Sequence, residues 1–153
     1  MIVGIIGSGG REHAICAKIK ESKKASKIFC IPGNAGTNSI AINVGLKIND
    51  FNSIKDFCVE NKVELLIIGP EQPLVDGIVD YFDDTDIKVF GPNRIASQLE
   101  GSKIFTKKIC EKYNIPTANF KIFENIEETK KFLKTSKFPL VVKADGLAAG
   151  KGV

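Results

Sequence analysis

Three glycines and two lysines close the chain in an order that suits a polyphosphate. In Leu140-Val-Val-Lys-Ala-Asp-Gly-Leu-Ala-Ala-Gly-Lys-Gly-Val153 an apolar run carries Lys143 at its end and enters a loop with Gly146, Gly150, Lys151 and Gly152. Glycines let backbone N–H groups approach phosphate oxygens, and ammonium groups neutralise the charge. If residues 140–143 form a buried strand, Lys143 loses its water unless an anion or solvent receives it. That makes Lys143 the leading candidate, with Lys103, directly after Gly101-Ser102, as the second. The loop is not a Walker A sequence, because Gly152 follows Lys151 where Ser or Thr is required. A different fold is expected to hold the triphosphate.

At the other end, Ile5-Ile-Gly-Ser-Gly-Gly-Arg-Glu-His13 joins an apolar run to a helical pattern. Such a turn points the first N–H groups of a helix at an anion. Gly7, Gly9 and Gly10 would form it, with Arg11 as a partner cation. The turn opens like a dinucleotide fingerprint, but Glu12 stands where the third glycine is needed. The second apolar run ends in Cys30-Ile-Pro32, without an acid for a ribose 2′-hydroxyl. Both departures argue against NAD, leaving either a single phosphate on the turn or a turn that only packs strand to helix. His13 reads as packed or capping. Two further loops, Pro32-Gly-Asn-Ala-Gly-Thr37 and Gly69-Pro-Glu-Gln-Pro-Leu-Val-Asp-Gly77, would emerge on the same edge of a parallel sheet, where ligands bind. They contribute Asn34 and Gly36, and the carboxylates of Glu71 and Asp76. Those acids suit hydroxyls or an amine, or complement a helix N-terminus.

The elements that must position these residues alternate. Apolar runs at 2–6, 28–31 and 65–68, and the segment 87–90, read as strands, and the helical spacings at 12–21, 54–61 and about 71–82 as helices. Strand-then-helix alternation with near-continuous apolar strands predicts an α/β fold, an open parallel Rossmann-like sheet with helices on both faces. Near Ser102 the character changes. Ser102 can cap a helix to about residue 113, followed by a strand near 119–123, a helix near 126–134 and the strand at 140–143. The expected division is therefore residues 1–101 and 102–153.

Composition excludes several classes. With 43% hydrophobic and 26% charged residues the chain reads as a globular domain. No apolar run approaches the roughly 20 residues of a membrane span, and the start carries no basic region of a signal peptide. Four scattered cysteines and one histidine offer no zinc spacing, and unpaired thiols fit a reducing cytoplasm. Residues 1–101 hold 11 Lys+Arg against 13 Asp+Glu, and residues 102–153 hold 11 against 5. Basic charge thus gathers where the nucleotide is expected. The lysines lack the interleaved aromatics of a nucleic-acid surface and read as solvated helix faces.

Five motifs, Gly7-Ser-Gly-Gly-Arg-Glu-His-Ala14, Pro32-Gly-Asn-Ala-Gly-Thr37, Gly69-Pro-Glu-Gln-Pro-Leu-Val-Asp-Gly77, Leu99-Glu-Gly-Ser-Lys103 and Val142-Lys-Ala-Asp-Gly-Leu-Ala-Ala-Gly-Lys-Gly-Val153, occur in order. Together they resemble the phosphoribosylamine–glycine ligases, ATP-grasp enzymes of purine biosynthesis. The resemblance implies a pre-ATP-grasp sheet followed by the beginning of an ATP-grasp α+β domain. It implies a monomeric enzyme that joins phosphoribosylamine to glycine with ATP and Mg²⁺ or Mn²⁺, through a glycyl phosphate. It further implies that Gly7, Gly9, Gly10, Arg11, Asn34, Gly36, Glu71 and Asp76 serve phosphoribosylamine. Lys103 and Lys143 would bind ATP phosphates, under a flap containing Gly146, Gly150, Lys151 and Gly152. Metal ligands and the adenine pocket are expected beyond Val153, so this polypeptide alone is expected to be inactive. The alternatives are a non-catalytic module for a phosphorylated sugar and a nicotinamide-dependent oxidoreductase domain.

Overall fold

The computed structural model describes residues 1–148. Packing divides the chain into two compact units, Met1–Ser97 and Gln98–Val153.

The first unit is a five-stranded parallel sheet in the order β3-β2-β1-β4-β5. Its strands are β1 (Ile2–Gly7), β2 (Lys27–Pro32), β3 (Ile42–Asn43), β4 (Leu65–Ile68) and β5 (Lys88–Phe90). β1 lies at the centre, with Ile6 opposite Ile31 on β2 and Ile68 on β4. The apolar runs alternate their side chains between two cores, as strand geometry requires. Val3, Ile5, Ile28 and Cys30 pack with Cys16, Ile15 and Ile19 of helix α1 (Gly10–Lys20). Ile6, Phe29, Ile31, Leu66 and Ile68 pack on the other face with Ile54 and Cys58 of α2 (Phe51–Glu60), Ile78 and Phe82. The doubly covered parallel sheet expected from the unbroken apolar runs is present.

Local chemistry shifts several boundaries. The first helix begins at Gly10, two residues before the expected start, because Glu12 at its third position accepts the Gly9 N–H at 2.7 Å. The single helix expected after Pro70 is two, α3 (Glu71–Asp76) and α4 (Ile78–Tyr81). Gly77 separates them at φ 97°, and its N–H bonds the carbonyls of Pro73 and Leu74. A left-handed glycine ends a helix in this way. The short edge strand β3 and helix α5 (Arg94–Gly101) were not expected. Asn93 starts α5, its side chain accepting the Ala96 N–H at 2.9 Å.

The second unit contains α6 (Lys103–Lys112) and α7 (Ile126–Thr135). Ser102 caps α6, accepting the Phe105 N–H at 3.0 Å. Neither strand expected here forms among the described residues. Val141 and Val142 are 66% and 65% exposed, and no neighbouring strand takes up their backbone groups. A lone extended segment has no ladder to join, so its apolar composition does not make it a strand. The premise that Lys143 ends a buried strand is thereby corrected: Lys143 is exposed.

Among the described residues no helix is long and apolar enough to cross a membrane. All four cysteines are free. Burial pushes the Cys16 and Cys58 thiols up to about 12, so both behave as small apolar side chains.

Candidate functional site

The connection from β1 runs to β2 on one side, and the later crossover from β3 returns past β1 to β4 on the other, which opens a crevice at the carboxyl ends of these strands. A cleft of about 570 Å³ occupies it, lined by the 7–9 turn, Glu12, Pro32, Pro70, Gln72 and the 47–49 segment.

Glu12 organises this edge. It is 3% exposed and receives hydrogen bonds from Gly9 N–H at 2.7 Å and Arg11 Nε at 3.0 Å. A Cβ added at Gly7, Gly9 or Gly69 would lie 2.5, 2.9 or 2.2 Å from the Glu12 side chain. These glycines therefore make room for a carboxylate, and at Gly7 the backbone also needs glycine, with φ 128°. Arg11 donates onward from Nη1 to Glu71 Oε1 at 2.9 Å. Hydrogen bonding to Glu71 and then Glu12 raises the Arg11 pKa, and the bond from Arg11 holds the Glu71 carboxyl below its ordinary range. The Gly9 N–H and the guanidinium, both expected to face a phosphate, are thus engaged by acids of the same edge. Gly10 is open, with nothing within 4 Å of a Cβ built there.

Asn34 ties the second loop to the first. Its side-chain NH₂ donates to the Ser8 carbonyl at 2.8 Å and the Gly9 carbonyl at 3.3 Å. Buried Thr37 fixes Asn34 in turn, accepting its N–H at 2.7 Å and donating its own N–H to Asn34 Oδ1 at 3.0 Å. The His13 ring lies against Gly36, where a Cβ would come within 2.5 Å. Gly7, Gly9, Gly10, Arg11, Asn34, Gly36 and Glu71 are thus gathered at one edge. Asp76 is not among them; it is exposed at the end of α3 and accepts from Gln72 Nε2 at 2.9 Å. Lys47, Ile48 and Asn49 line the cleft without having been singled out. They lie in an aperiodic stretch after Gly45, where composition carries no signal.

In the second unit, residues 43 apart in sequence meet at the start of α6. The Lys103 ammonium donates to the Gly146 carbonyl at 2.7 Å. Asp145 accepts from the Ser102 hydroxyl at 2.9 Å and the Ile104 N–H at 3.1 Å. Burial pushes the Asp145 pKa up, but the bonds from Ile104 and Ser102 outweigh it and hold the group below its ordinary value. Gly150, Lys151 and Gly152 lie outside the described residues. Among those described, no three His, Cys, Asp or Glu side chains converge as a metal site. In this unit Glu127 and Glu128 occupy the first turn of α7 and Asp145 serves α6, so a divalent cation finds no cage among the described residues.

Comparison with known proteins decides the family. The phosphoribosylglycinamide synthetase N domain matches residues 1–100 and the ATP-grasp (A) domain of the same synthetase matches residues 101–153. The chain belongs to the phosphoribosylglycinamide synthetase family. Phosphoribosylamine–glycine ligase from Caldanaerobacter subterraneus subsp. tengcongensis is 50% identical over the whole chain, which covers 37% of that relative. The ligase from Clostridium acetobutylicum is 46% identical, again with 37% of its length covered. The chain thus spans just over a third of the curated relatives it matches. The crystal structure of the Thermotoga maritima ligase superposes with a TM-score of 0.76 at 35% identity, over 99% of this chain and 35% of that one. N5-carboxyaminoimidazole ribonucleotide synthetase from Thermus thermophilus shares the fold, with a TM-score of 0.64 at 17% identity over 90% of this chain and 37% of that one.

Proposed function

We propose that this chain is the N-terminal part of a phosphoribosylamine–glycine ligase, joining glycine to 5-phosphoribosylamine at the expense of ATP to give glycinamide ribonucleotide. The convergence of three polar loops on one cleft, at the point where the strand order reverses, carries this reading. Phosphoribosylamine occupies that cleft, lined by Gly7 and Gly9, with Gly10, Arg11, Asn34, Gly36 and Glu71 on the same edge of the sheet. Lys103 and Lys143 neutralise the phosphates of ATP, and the segment with Gly146, Gly150, Lys151 and Gly152 closes over them. The Lys103–Gly146 contact supports pairing these two residues at one site. Phosphoryl transfer needs a divalent cation to bridge phosphate oxygens. The chain spans about 37% of its relatives' length, and on this reading the reaction needs the remaining length as well. Four free cysteines fit a reducing compartment.

The test is glycine- and phosphoribosylamine-dependent ATP cleavage, measured in this chain and in one extended to the length of its relatives. The short chain should be silent and the extended one active. In the latter, Lys103→Ala and Lys143→Ala should each lower kcat roughly 10²–10³-fold, the scale of losing one preorganised electrostatic donor. Activity in the purified short chain, or wild-type rates in both variants, would overturn the assignment.

A further inference from the structure

The residues lining the cleft include one anion and one cation, Glu12 and Lys47. Glu12 is not free to leave: it is 3% exposed, takes the Gly9 N–H and the Arg11 Nε, and fills the space that Gly7, Gly9 and Gly69 leave open. Through Arg11 it is joined to Glu71, so two carboxylates share one guanidinium and the group keeps a negative charge. A phosphate set on the glycine turn would meet that charge and would find the Gly9 N–H already bonded. An amine brings N–H donors, which carboxylates accept. Lys47 is exposed in the segment that lines the cleft together with Asn49, and an ammonium is a ready partner for phosphate.

From this polarity we propose that Glu12 is a specificity-determining residue that orients the sugar phosphate. The amine end faces Glu12, whose partner cation Arg11 is shared with Glu71, and the phosphate end faces Lys47 and Asn49. Glu12 thereby also closes the turn to the pyrophosphate of a dinucleotide. This orientation rests on the reading of the cleft as the phosphoribosylamine site.

Calorimetric titration of the 153-residue chain with three probes tests it. They are a carbocyclic analogue of phosphoribosylamine, its counterpart lacking the amine, and its counterpart lacking the phosphate. Glu12→Gln should weaken the amine-bearing phosphate about tenfold, as for a hydrogen bond to a charged acceptor, and leave the amine-free ligand unchanged. Lys47→Met should weaken both phosphate-bearing ligands about fivefold, less at high salt, and spare the one without phosphate. The preference for the amine is a ratio that general loosening of the loops does not move. If Glu12→Gln tightens both phosphate-bearing ligands while Lys47→Met changes nothing, the phosphate sits on the turn and the orientation is wrong. Should Glu12→Gln fail to fold, exposed Lys47 decides alone, and unchanged phosphate affinity in Lys47→Met overturns the proposal. A wild-type chain that binds none of the probes removes the reading of the cleft, and the orientation with it.

Discussion

Leu65-Leu-Ile-Ile68 and Leu140-Val-Val142 are nearly interchangeable as sequence, yet they end in opposite environments. The first is β4, paired through Ile67 to Ile5 on one side and Phe90 on the other, with Leu66 fully buried. The second has no partner strand among the described residues and leaves Val141 and Val142 about two-thirds exposed. Apolar, β-branched composition is therefore a licence for a strand, and pairing is what makes one. The same contrast separates the two units. Residues 1–97 bury two apolar layers around a closed set of hydrogen bonds, while the described part of the second unit is held by helix caps and a few polar contacts.

Hydrogen exchange should show the largest difference. Amides of β4 should be protected on the order of 10³-fold or more beyond those of Val141 and Val142, because core strands exchange only through global unfolding. Equal protection would erase the contrast. Within the first unit, Gly69→Ala should cost about 1–3 kcal/mol in urea denaturation, since its Cβ would overlap buried Glu12, an overpacking that the edge cannot relax. Gly10→Ala meets open space and should stabilise by about 0.5 kcal/mol. Similar values for the two would mean that Glu12 does not fill the space between the glycines.

In the second unit, Asp145→Ala should cost about 1 kcal/mol, the scale of a lost helix cap, and expose the Ile104 amide to exchange. The lowered Asp145 pKa sets the sign of the pH effect. Its contribution is present above the unfolded value of about 3.8 and is lost as pH falls through the lower folded value. An Ile104 amide equally protected in the variant would show that Asp145 caps nothing. The smallest effects belong to the surface pairs Lys18–Glu21 and Lys130–Glu127, one in each unit. Lys18→Ala and Lys130→Ala should leave Tm unmoved, because exposed ion pairs are screened and entropically costly.

The sheet was legible because unbroken apolar runs require cover on two faces, and its loops were legible because glycine and proline mark where strands end. Glu12 was legible only as a departure from a glycine pattern. That it buries its charge depends on the approach of Gly69, distant in sequence, which no local pattern encodes. Asp145 looked like an ordinary loop acid, since its partners Ser102 and Ile104 are distant in sequence. Helix α5 could have been found, for Asn93 followed by Ile95, Ala96 and Leu99 is a cap and an apolar face. The paired strand expected at 140–143 could not be tested from composition, because pairing is a property of two segments.

The most direct measurement is a titration of the isotope-labelled chain with ribose 5-phosphate, followed residue by residue through backbone amide shifts. Saturable shifts should be largest at Lys47, Ile48 and Asn49, extend to Ser8 and Gly9 across the cleft, and spare α6 and α7. Saturable shifts confined to the second unit, or none at millimolar ligand, would contradict a sugar-phosphate site at the carboxyl edge of the sheet.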